Sequence, residues 1–292
     1  MRTSTVLTLT SLAAVSLAAV AGCRSPKQSA KPLLVHVGGT MRPVIQALAK
    51  RYESRTGQRI DINAAGSGEL LAHIQLQKRG DLYVCHDPFL DILMKKFKMG
   101  LDAWVVAELT PVIVVQKGNP KGIKGLKDLG RPEVEVWLTD YRHSTLGRML
   151  PTIFAKAGID FEELNRRKQI PTNKSGGYVA NMVKTRNADA AMCWNAVAYL
   201  RRDAVDIVPL PPEHLPTPGV DTVTSATGKT YTLTPVRVTV ATLTCSAQPA
   251  EAEKFARFLA SPEAAEVFKQ FGFTVCQSRK LYEKGRPTRT AE

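Results

Sequence analysis

The sequence predicts an α/β protein whose sheets are mainly parallel and flanked by helices. Apolar runs of strand length alternate along the chain with segments whose apolar residues recur at helical spacing. Several of these strands end in short turns rich in Gly and Ser that lead directly into a helix. A repeated strand–turn–helix order builds parallel sheets. The composition, with 44% hydrophobic, 23% charged and 7% aromatic residues, is that of a soluble globular protein.

The first half of the predicted fold contains two strand–turn–helix units and a third strand. In order, the elements are a strand over residues 33–37, a helix over 44–52, a strand over 59–63, a helix over 70–76 and a strand over 81–85. The turn Gly38-Gly39-Thr40 leads into the first helix, and Gly66-Ser67-Gly68 leads into the second. Gly57 follows the first helix, at a place where glycine commonly ends a helix.

The second half repeats the alternation and suggests a second α/β unit. Its predicted strands cover residues 104–106, 111–115, 134–138, 188–194 and 237–245, and its helices cover 145–157, 177–184, 251–260 and 262–271. Five prolines between residues 209 and 231 predict a long surface excursion. Two units joined by crossing strands suggest two lobes with a cleft between them. We place lobe 1 at residues 33–112 and 241–292 and lobe 2 at 113–240, with the crossing segments at 110–114 and 239–242.

The amino terminus predicts export and lipid attachment. A positive charge at Arg2 precedes an apolar stretch over residues 6–21, which is too short and too rich in Thr and Ser for a spanning helix. It ends in Val20-Ala21-Gly22-Cys23, which resembles the bacterial lipobox, where the Cys thiol takes up diacylglycerol. We expect a signal peptide at 1–22, a lipidated Cys23 and a polar tether at 23–32, which hold the protein outside the cytoplasmic membrane. The alternative is an ordinary secretory signal with a chance Cys.

Charge and cysteine content limit the classes of partner. Forty Lys and Arg against 26 Asp and Glu give a formal charge of +14, which favours anionic partners without identifying one. Export argues against nucleic acid. The run Lys95-Lys96 is interpreted as a solvated helix face, with a role at a membrane surface or in anion steering as the alternative.

Cys85, Cys193, Cys245 and Cys276 allow three disulfide pairings. The sequence has no CxxC motif, so we expect no zinc site, and we expect no cofactor.

Ligands of open α/β sheets bind beyond the carboxyl ends of the strands, and six segments lie there. They are Gly38-Gly39-Thr40, Gly66-Ser67-Gly68, Cys85-His86-Asp87, residues 140–147, Ser175-Gly176-Gly177 and Trp194-Asn195. Small residues that open a helix present free backbone N–H groups and the positive end of the helix dipole, which together bind an anion. Helix capping and tight turns are enough to explain the small residues of any single segment. Convergence of several on one cleft favours a binding site.

Several short motifs follow one another along the chain, and their order and spacing together are characteristic of one protein family. They are Val35-His36-Val37-Gly38-Gly39-Thr40, Thr56-Gly57, Gly66-Ser67-Gly68-Glu69-Leu70, Gly80-Asp81-Leu82-Tyr83-Val84, Lys117-Gly118-Asn119-Pro120, Asn187-Ala188-Asp189-Ala190-Ala191 and Phe258-Leu259-Ala260-Ser261-Pro262-Glu263-Ala264. In this order they resemble the periplasmic molybdate/tungstate-binding proteins of ABC importers, over nearly all of the chain after the signal. The resemblance implies a two-lobed type II binding fold with two crossing hinge segments. It also implies a monomer without enzymatic activity that closes on a tetrahedral oxyanion and delivers it to a membrane permease.

The resemblance also implies the ligand contacts. In lobe 1 the family motifs fall on Gly39 with Thr40, on Ser67 with Gly68, and on His86, where the family usually has a small residue. In lobe 2 they fall on Thr145, on Gly176 and on Trp194, which replaces a tyrosine and can donate through its indole N–H.

Two other hypotheses depend on Cys85 and His86. If both face the cleft, the protein could bind another anion, or a soft metal or metalloid. A thiol-dependent enzyme would use Cys85 as the nucleophile and His86 or His36 as the base. Neighbouring side chains on a strand point to opposite faces, which argues against a Cys85–His86 pair. On their own, Cys85 is expected to be a buried small hydrophobe and His86 a solvated loop residue.

Overall fold

The computed structural model describes residues 31–218, 220–224, 230–233 and 236–289 of the 292-residue chain. The predicted signal peptide, Cys23 and nearly all of the predicted tether lie outside the described residues. Among the helices that are described, none is both long and apolar enough to cross a membrane.

Strands and helices alternate through most of the described chain. The strands are β1 (Leu33–Gly38), β2 (Ile60–Ala65), β3 (Leu82–His86), β4 (Gly100–Leu109), β5 (Pro111–Gln116), β6 (Val136–Thr139), β7 (Thr172–Asn173), β8 (Ala190–Trp194), β9 (Val205–Pro209), β10 (Thr222–Thr224), β11 (Thr230–Thr232), β12 (Val236–Leu243), β13 (Arg279–Glu283) and β14 (Arg286–Pro287). The α-helices are α1 (Arg42–Thr56), α2 (Ser67–Gln77), α3 (Phe89–Asp91), α4 (Thr145–Lys156), α5 (Phe161–Lys168), α6 (Gly176–Lys184), α7 (Asn195–Tyr199), α8 (Pro249–Leu259) and α9 (Pro262–Gln270). Short 3-10 helices cover Gly39–Met41, Leu126–Gly130 and Pro212–His214, and a π-helix covers Ile92–Phe97.

The larger sheet, here called the first sheet, has the strand order β14-β13-β4-β12-β3-β1-β2 within the described residues. Strand β1 runs parallel to β2 on one side and to β3 on the other. Strand β12 runs antiparallel to both β3 and β4, so β3 and β4 point in the same direction as β1. The carboxyl ends of β1, β2 and β3 therefore lie at one edge, which we call the carboxyl edge of the first sheet.

The second sheet has the order β7-β6-β8-β5-β9 among the described strands. Strand β6 runs parallel to β7 and to β8, whereas β5 runs antiparallel to β8 and to β9. The carboxyl ends of β6, β7 and β8 therefore share one edge, the carboxyl edge of the second sheet. Only Thr110 separates β4 from β5, so the chain passes directly from one sheet into the other.

The predicted α/β class is confirmed, but both sheets are mixed rather than mainly parallel, because β12, β4, β5 and β9 enter antiparallel pairs. The crossing segment predicted at residues 239–242 is wrong in its position. Thr239 pairs with Cys85 of β3 and with Val105 of β4, so it lies inside the first sheet. Residues 236–240, placed in lobe 2 from the sequence, belong to the same strand. An apolar run does not reveal which sheet it joins, since its partners are distant in sequence.

The helices bury the faces that their spacing predicts. Helix α1 buries Val44, Ile45, Leu48, Ala49 and Tyr52 and is followed by Gly57, whose φ of 74° is in the left-handed region. The Tyr52 ring packs 4.9 Å from that of Phe255 on α8, between ring centroids. Helix α5 and strand β9 were not predicted. In α5 only Phe161 and Leu164 are buried, which is too weak a period to detect from the sequence.

The described part of the proline-rich excursion contains secondary structure that was not predicted. Its described residues include the 3-10 helix Pro212–His214 and an antiparallel pair, β10 with β11. Short strands of three residues flanked by Pro and Gly give no recognisable alternation, which explains why the sequence did not reveal them.

Gly272 provides a test of how tightly the segment after α9 packs against α7. Its φ is 79°, and a Cβ there would overlap the Cβ and ring of Tyr199. Gly57 has a similar φ of 74° but no atom within 4 Å of the position of a Cβ. We expect Gly57→Ala to lower the free energy of unfolding by about 1–2 kcal/mol through backbone strain alone. Gly272→Ala should lower it by a further 1–3 kcal/mol or so through overpacking. Urea unfolding of both variants checks this, and equal losses would contradict it.

Candidate functional site

The carboxyl edge of the first sheet gathers the candidate residues of the first half. The chain leaves β1 through a 3-10 turn that contains Gly39 and Thr40, which are exposed and half-buried respectively. Ser67 and Gly68 open α2 directly after β2, and His86 is the last residue of β3. Because these three strands are parallel neighbours, the predicted convergence of the three segments is present in the structure.

Ser67 presents a buried hydroxyl without a partner. The residue is 6% exposed, and its Oγ has no hydrogen-bond partner in the structure. It lies against Gly38, where a Cβ would overlap the Ser67 Oγ and approach Met41 Cε within 2.6 Å. The Ser67 carbonyl is held by the Tyr83 hydroxyl, which donates to it at 2.6 Å. Glycine at position 38 thus leaves the space that this hydroxyl occupies.

The amino end of α2 is open to a ligand. Gly66 precedes the helix and supplies no side-chain cap. The first amides of a helix have no partner within it, so those at the start of α2 are available beside the Ser67 hydroxyl. Backbone amides and the helix dipole attract an anion at such a position.

The second sheet supplies a matching hydroxyl that the sequence analysis missed. Thr139 ends β6, is 2% exposed, and its Oγ1 also has no hydrogen-bond partner. It lies next to the start of α6, since a Cβ on Gly176 would be 3.9 Å from Thr139 Cγ2. Its position could have indicated it, because Thr139 ends a strand and directly precedes the candidate segment 140–147. Its burial beside Gly176 depends on packing.

Among the described residues, three helices begin at the carboxyl edge of the second sheet, and two of them, α4 and α6, have a side-chain cap. The Ser175 side chain caps α6 by accepting from the amide of Tyr178. The Ser144 side chain caps α4 by accepting from the amide of Gly147 at 2.8 Å. Thr145 therefore occupies the first turn of α4, half-buried, as Gly176 does in α6.

The carboxylate of Asp140 lies in the turn before α4 and is satisfied within it. Its Oδ1 accepts from the amides of Arg142 and His143 and from His143 Nδ1, at 2.8–2.9 Å. Burial would raise the pKa of Asp140, but these hydrogen bonds outweigh it and lower the pKa. The negative charge opposes anion binding at this one turn, which leaves α6 as the better anion-binding terminus of the second sheet.

His86 and Trp194 bring the two sheets together. Their ring centroids are 6.5 Å apart, and His86 also meets the Phe89 ring edge-on at 5.5 Å. Trp194 ends β8 and is buried, whereas His86 is half-buried. The expectation of a solvated His86 is therefore wrong, because the Phe89 ring of α3 and the Trp194 ring of β8 pack against it. The Nδ1–H of His86 donates to the Asp87 carbonyl at 2.8 Å, which leaves Nε2 as a hydrogen-bond acceptor in the neutral ring.

The loop after β3 is held by an ion pair. Asp87 accepts two hydrogen bonds from the Arg237 guanidinium, at 2.8 and 3.0 Å, and a third from the Arg237 amide at 3.0 Å. Burial alone would lower the pKa of Arg237, but the hydrogen bonds and charge of Asp87 outweigh it and raise the pKa. This two-point contact fixes the loop that positions His86.

Cys85 does not face the site. It is 0% exposed, and its Sγ lies 3.4 Å from Thr239 Oγ1 within the first sheet. Burial raises the pKa of this thiol to about 12, so it carries no thiolate at neutral pH. His36 is buried too, with Nε2 bonded to the Arg79 carbonyl and Nδ1 to the Asn63 amide. Neither the thiol nucleophile nor its proposed bases are arranged for catalysis.

The soft-metal hypothesis loses its ligands for the same reason. Cys85 and His86 lie on opposite faces of β3, the first in the core and the second against Trp194. Within the described residues no group of three or more His, Cys, Asp or Glu side chains could hold a metal ion. Cys85, Cys193, Cys245 and Cys276 are all free thiols.

A polar network joins the sheets where the chain crosses. Asn195 Oδ1 accepts from the Thr110 amide at 3.1 Å, and Asn195 Nδ2 donates to Thr274 Oγ1 at 3.0 Å. The hydroxyls of Thr110 and Thr274 are 2.9 Å apart and also bond to each other. Three chain segments thus meet next to Trp194, at the junction between the two halves of the candidate site.

Comparisons with known proteins show the family to which this chain belongs. A family model described as "Bacterial extracellular solute-binding protein" matches residues 33–274. A "Putative binding protein" from Haemophilus influenzae is 24% identical over 251 residues, which cover 84% of this chain and 91% of that protein.

Solved structures share the fold. The periplasmic molybdate-binding protein of Azotobacter vinelandii has a TM-score of 0.62 at 15% identity, over 84% of this chain and 100% of that one. The sulfate-binding protein SubI of Mycobacterium tuberculosis has a TM-score of 0.64 at 18% identity, over 83% and 86%. These likenesses confirm the predicted type II binding-protein fold. With the family match over most of its length, the chain belongs to the bacterial extracellular solute-binding proteins and is a binding protein rather than an enzyme.

Proposed function

We propose that the protein captures a small tetrahedral oxyanion, molybdate or tungstate, between the carboxyl edges of its two sheets. The observation that carries this proposal is the pair of buried hydroxyls without partners, Ser67 Oγ on the first sheet and Thr139 Oγ1 on the second. A buried polar group without a partner destabilises a protein by about 1–3 kcal/mol. An anion that accepts a hydrogen bond from each hydroxyl would remove both penalties at once.

The surroundings of these hydroxyls support an anion. Ser67 begins α2 and Thr139 lies beside the start of α6, so each hydroxyl stands next to free helix amides. The nearby charges of Asp87 and Arg237 neutralise each other. Glu69, in the first turn of α2, is a carboxylate that opposes an anion there. A site that offers mainly donors still favours a fully deprotonated oxyanion over one that retains a proton. Molybdate, tungstate and sulfate meet this condition, and the larger anions match the family that the motifs resemble.

Binding of the anion would favour a closed form of the protein, in which the two carboxyl edges approach each other. A ligand held by Ser67 on one sheet and by Thr139 on the other gains all of its contacts only when the two edges approach. It therefore shifts the population toward the closed form. The single-residue crossing at Thr110, with its bonds to Asn195 and Thr274, is the proposed hinge on this side. Lobe 1 would then be built on the first sheet and lobe 2 on the second.

The cellular role follows from the resemblance and from the amino terminus. We propose that a lipid on Cys23 holds the protein at the outer face of a membrane as a monomer. There it would deliver the anion to the permease of an ABC importer, without cofactor or nucleic acid.

A second candidate ligand is an oxyanion that keeps one proton, such as hydrogen phosphate or hydrogen arsenate. The observation in its favour is the His86 ring, whose Nδ1–H is committed to the Asp87 carbonyl. Burial, the largest influence, lowers the pKa of His86, so the ring is neutral at pH 7 and its Nε2 accepts hydrogen bonds. If Nε2 faces the bound ligand, it would favour a ligand that carries a proton.

A ligand panel tests the anion class directly. Purified protein is titrated by calorimetry, and its thermal unfolding is followed with molybdate, tungstate, sulfate, phosphate and arsenate. We expect molybdate or tungstate to bind most tightly and to raise the free energy of unfolding by about 2.7 kcal/mol at a hundredfold excess over Kd. A preference for phosphate and arsenate that His86→Phe removes would favour the second candidate. No response to any oxyanion would overturn the proposal.

Removing the two hydroxyls separates binding from stability. We expect Ser67→Ala and Thr139→Val each to weaken anion binding about tenfold or more, since a hydrogen bond to a charged group is worth about 1.5–3 kcal/mol. Without ligand, both variants should be at least as stable as the parent, because each loses an unsatisfied buried hydroxyl. Calorimetry gives the affinity, and urea unfolding without ligand gives the stability.

Thr242→Val is the matched control for these variants. Thr242 is a buried residue of β12 that pairs with Leu82, at the end of β3 away from the site. Its hydroxyl accepts from the Asp102 amide at 3.0 Å, so its loss should lower stability and leave affinity unchanged. A fall in stability without a fall in affinity for Ser67→Ala or Thr139→Val would show that these hydroxyls are structural.

A further inference from the structure

We propose that the edge of the first sheet opposite the candidate site rests on an anionic membrane surface. This inference rests on the proposed lipid anchor at Cys23. The amino ends of β1, β3 and β4 and the carboxyl end of β12 lie together there, because β12 runs antiparallel to β3 and β4. We call this the amino edge. It carries Lys31, the loop 78–81 before β3 and residues 95–99 before β4.

The amino edge is strongly basic. Its exposed cations are Lys31, Lys78, Arg79, Lys96 and Lys98. No ion pair joins any of these five to another residue in the part of the chain that the structure describes. Each Lys or Arg close to an anionic membrane raises binding about fivefold.

Two carboxylates near this edge are already paired with cations outside the group of five. Asp91 pairs with Lys95 at 3.1 Å, and Asp61 lies 3.9 Å from Arg59. Asp81 is buried and accepts from the Leu34 amide and the Ser246 hydroxyl. The five cations exceed the one negative charge of Asp81, whose partners are neutral, and remain available to an external anionic surface.

Apolar side chains lie among these cations. Leu76, in the last turn of α2, is 79% exposed, and Phe97 and Met99 are half-buried. The Lys96 ammonium lies 5.6 Å from the centroid of the Phe97 ring. Two adjoining grooves of about 670 and 330 Å³ share Lys78 and Cys245 along this edge. An exposed Leu beside a partly exposed Phe within a basic surface is typical of proteins that lie at a membrane interface.

The position of the tether selects the membrane as the occupant. Seven residues, 24–30, separate Cys23 from Lys31. The eight Cα–Cα steps from Cys23 to Lys31 span at most about 29 Å when fully extended, so a lipid at Cys23 keeps Lys31 and its neighbours close to the bilayer. During capture, the carboxyl edge, with Ser67 and His86, would then face away from the membrane, and delivery to the permease would require the protein to turn on its tether.

Lysine labelling on vesicles tests this orientation. The processed, lipidated protein is placed on vesicles of phosphatidylcholine alone or with about a third phosphatidylglycerol, and acetylation of each lysine is followed by mass spectrometry. We expect Lys78, Lys96 and Lys98 to react at least about threefold more slowly on the anionic vesicles, and the difference to vanish in high salt. Lys184 and Lys269, exposed on α6 and α9, serve as internal controls and should react equally on both.

Two charge-reversal variants make the test specific. Lys78→Glu with Lys96→Glu should abolish the protection of Lys98, whereas Lys184→Glu with Lys269→Glu changes net charge equally and should preserve it. Equal labelling on both kinds of vesicle, or protection of Lys184 and Lys269 as strong as that of Lys78, would overturn the inference. So would an intact mass without lipid at Cys23 together with protein that leaves the vesicles. Anion binding does not enter this readout, so failure of the proposed ligand would be seen separately.

Discussion

The parallel pairing of β1 with β2 and β3 is the constraint on which the candidate site depends. It brings three strand ends to one edge, so that Gly39, Ser67 and His86, which are far apart in sequence, lie side by side. Gly38 completes the arrangement, because its missing side chain leaves room for the Ser67 hydroxyl. In the second sheet the parallel strands β6, β7 and β8 likewise end at one edge, and the contact between His86 and Trp194 links the two edges.

Within the described residues, the buried hydroxyls that lack a hydrogen-bond partner lie at the candidate site. Many buried polar groups elsewhere are matched, as with Asp87 and Arg237, or His36 with Arg79 and Asn63, although Arg131 Nε and His214 Nδ1 also lack a hydrogen-bond partner. At the two edges, Ser67 and Thr139 keep hydroxyls that lack a partner. A folded chain tolerates such a loss of stability where the unmatched group serves a ligand. Cys85-His86 is likewise better interpreted as part of a binding site than as a thiol centre. The Cys85 thiol is buried and already has Thr239 as its hydrogen-bond partner.

The two ends of the first sheet differ in chemistry. The carboxyl edge offers neutral donors and helix termini, which suit a small anion that enters and leaves. The amino edge offers exposed cations around Leu76 and Phe97, which suit an extended anionic surface. Because strand direction places the tether at one end and the site at the other, anchoring and capture would not compete for the same face.

From the sequence by itself, the order of most strands and helices, the α/β class and the segments that carry the candidate site could be predicted. These features depend on local periodicity and on turn residues such as Gly66 and Gly57. Tertiary structure alone decided that β12 lies between β3 and β4 and that Cys85 is buried. It also decided that His86 packs against the ring of Trp194 and that Thr139 lies beside Gly176. The physical reason is that strand pairing and burial depend on residues remote in sequence, whereas periodicity records only which side of an element is apolar.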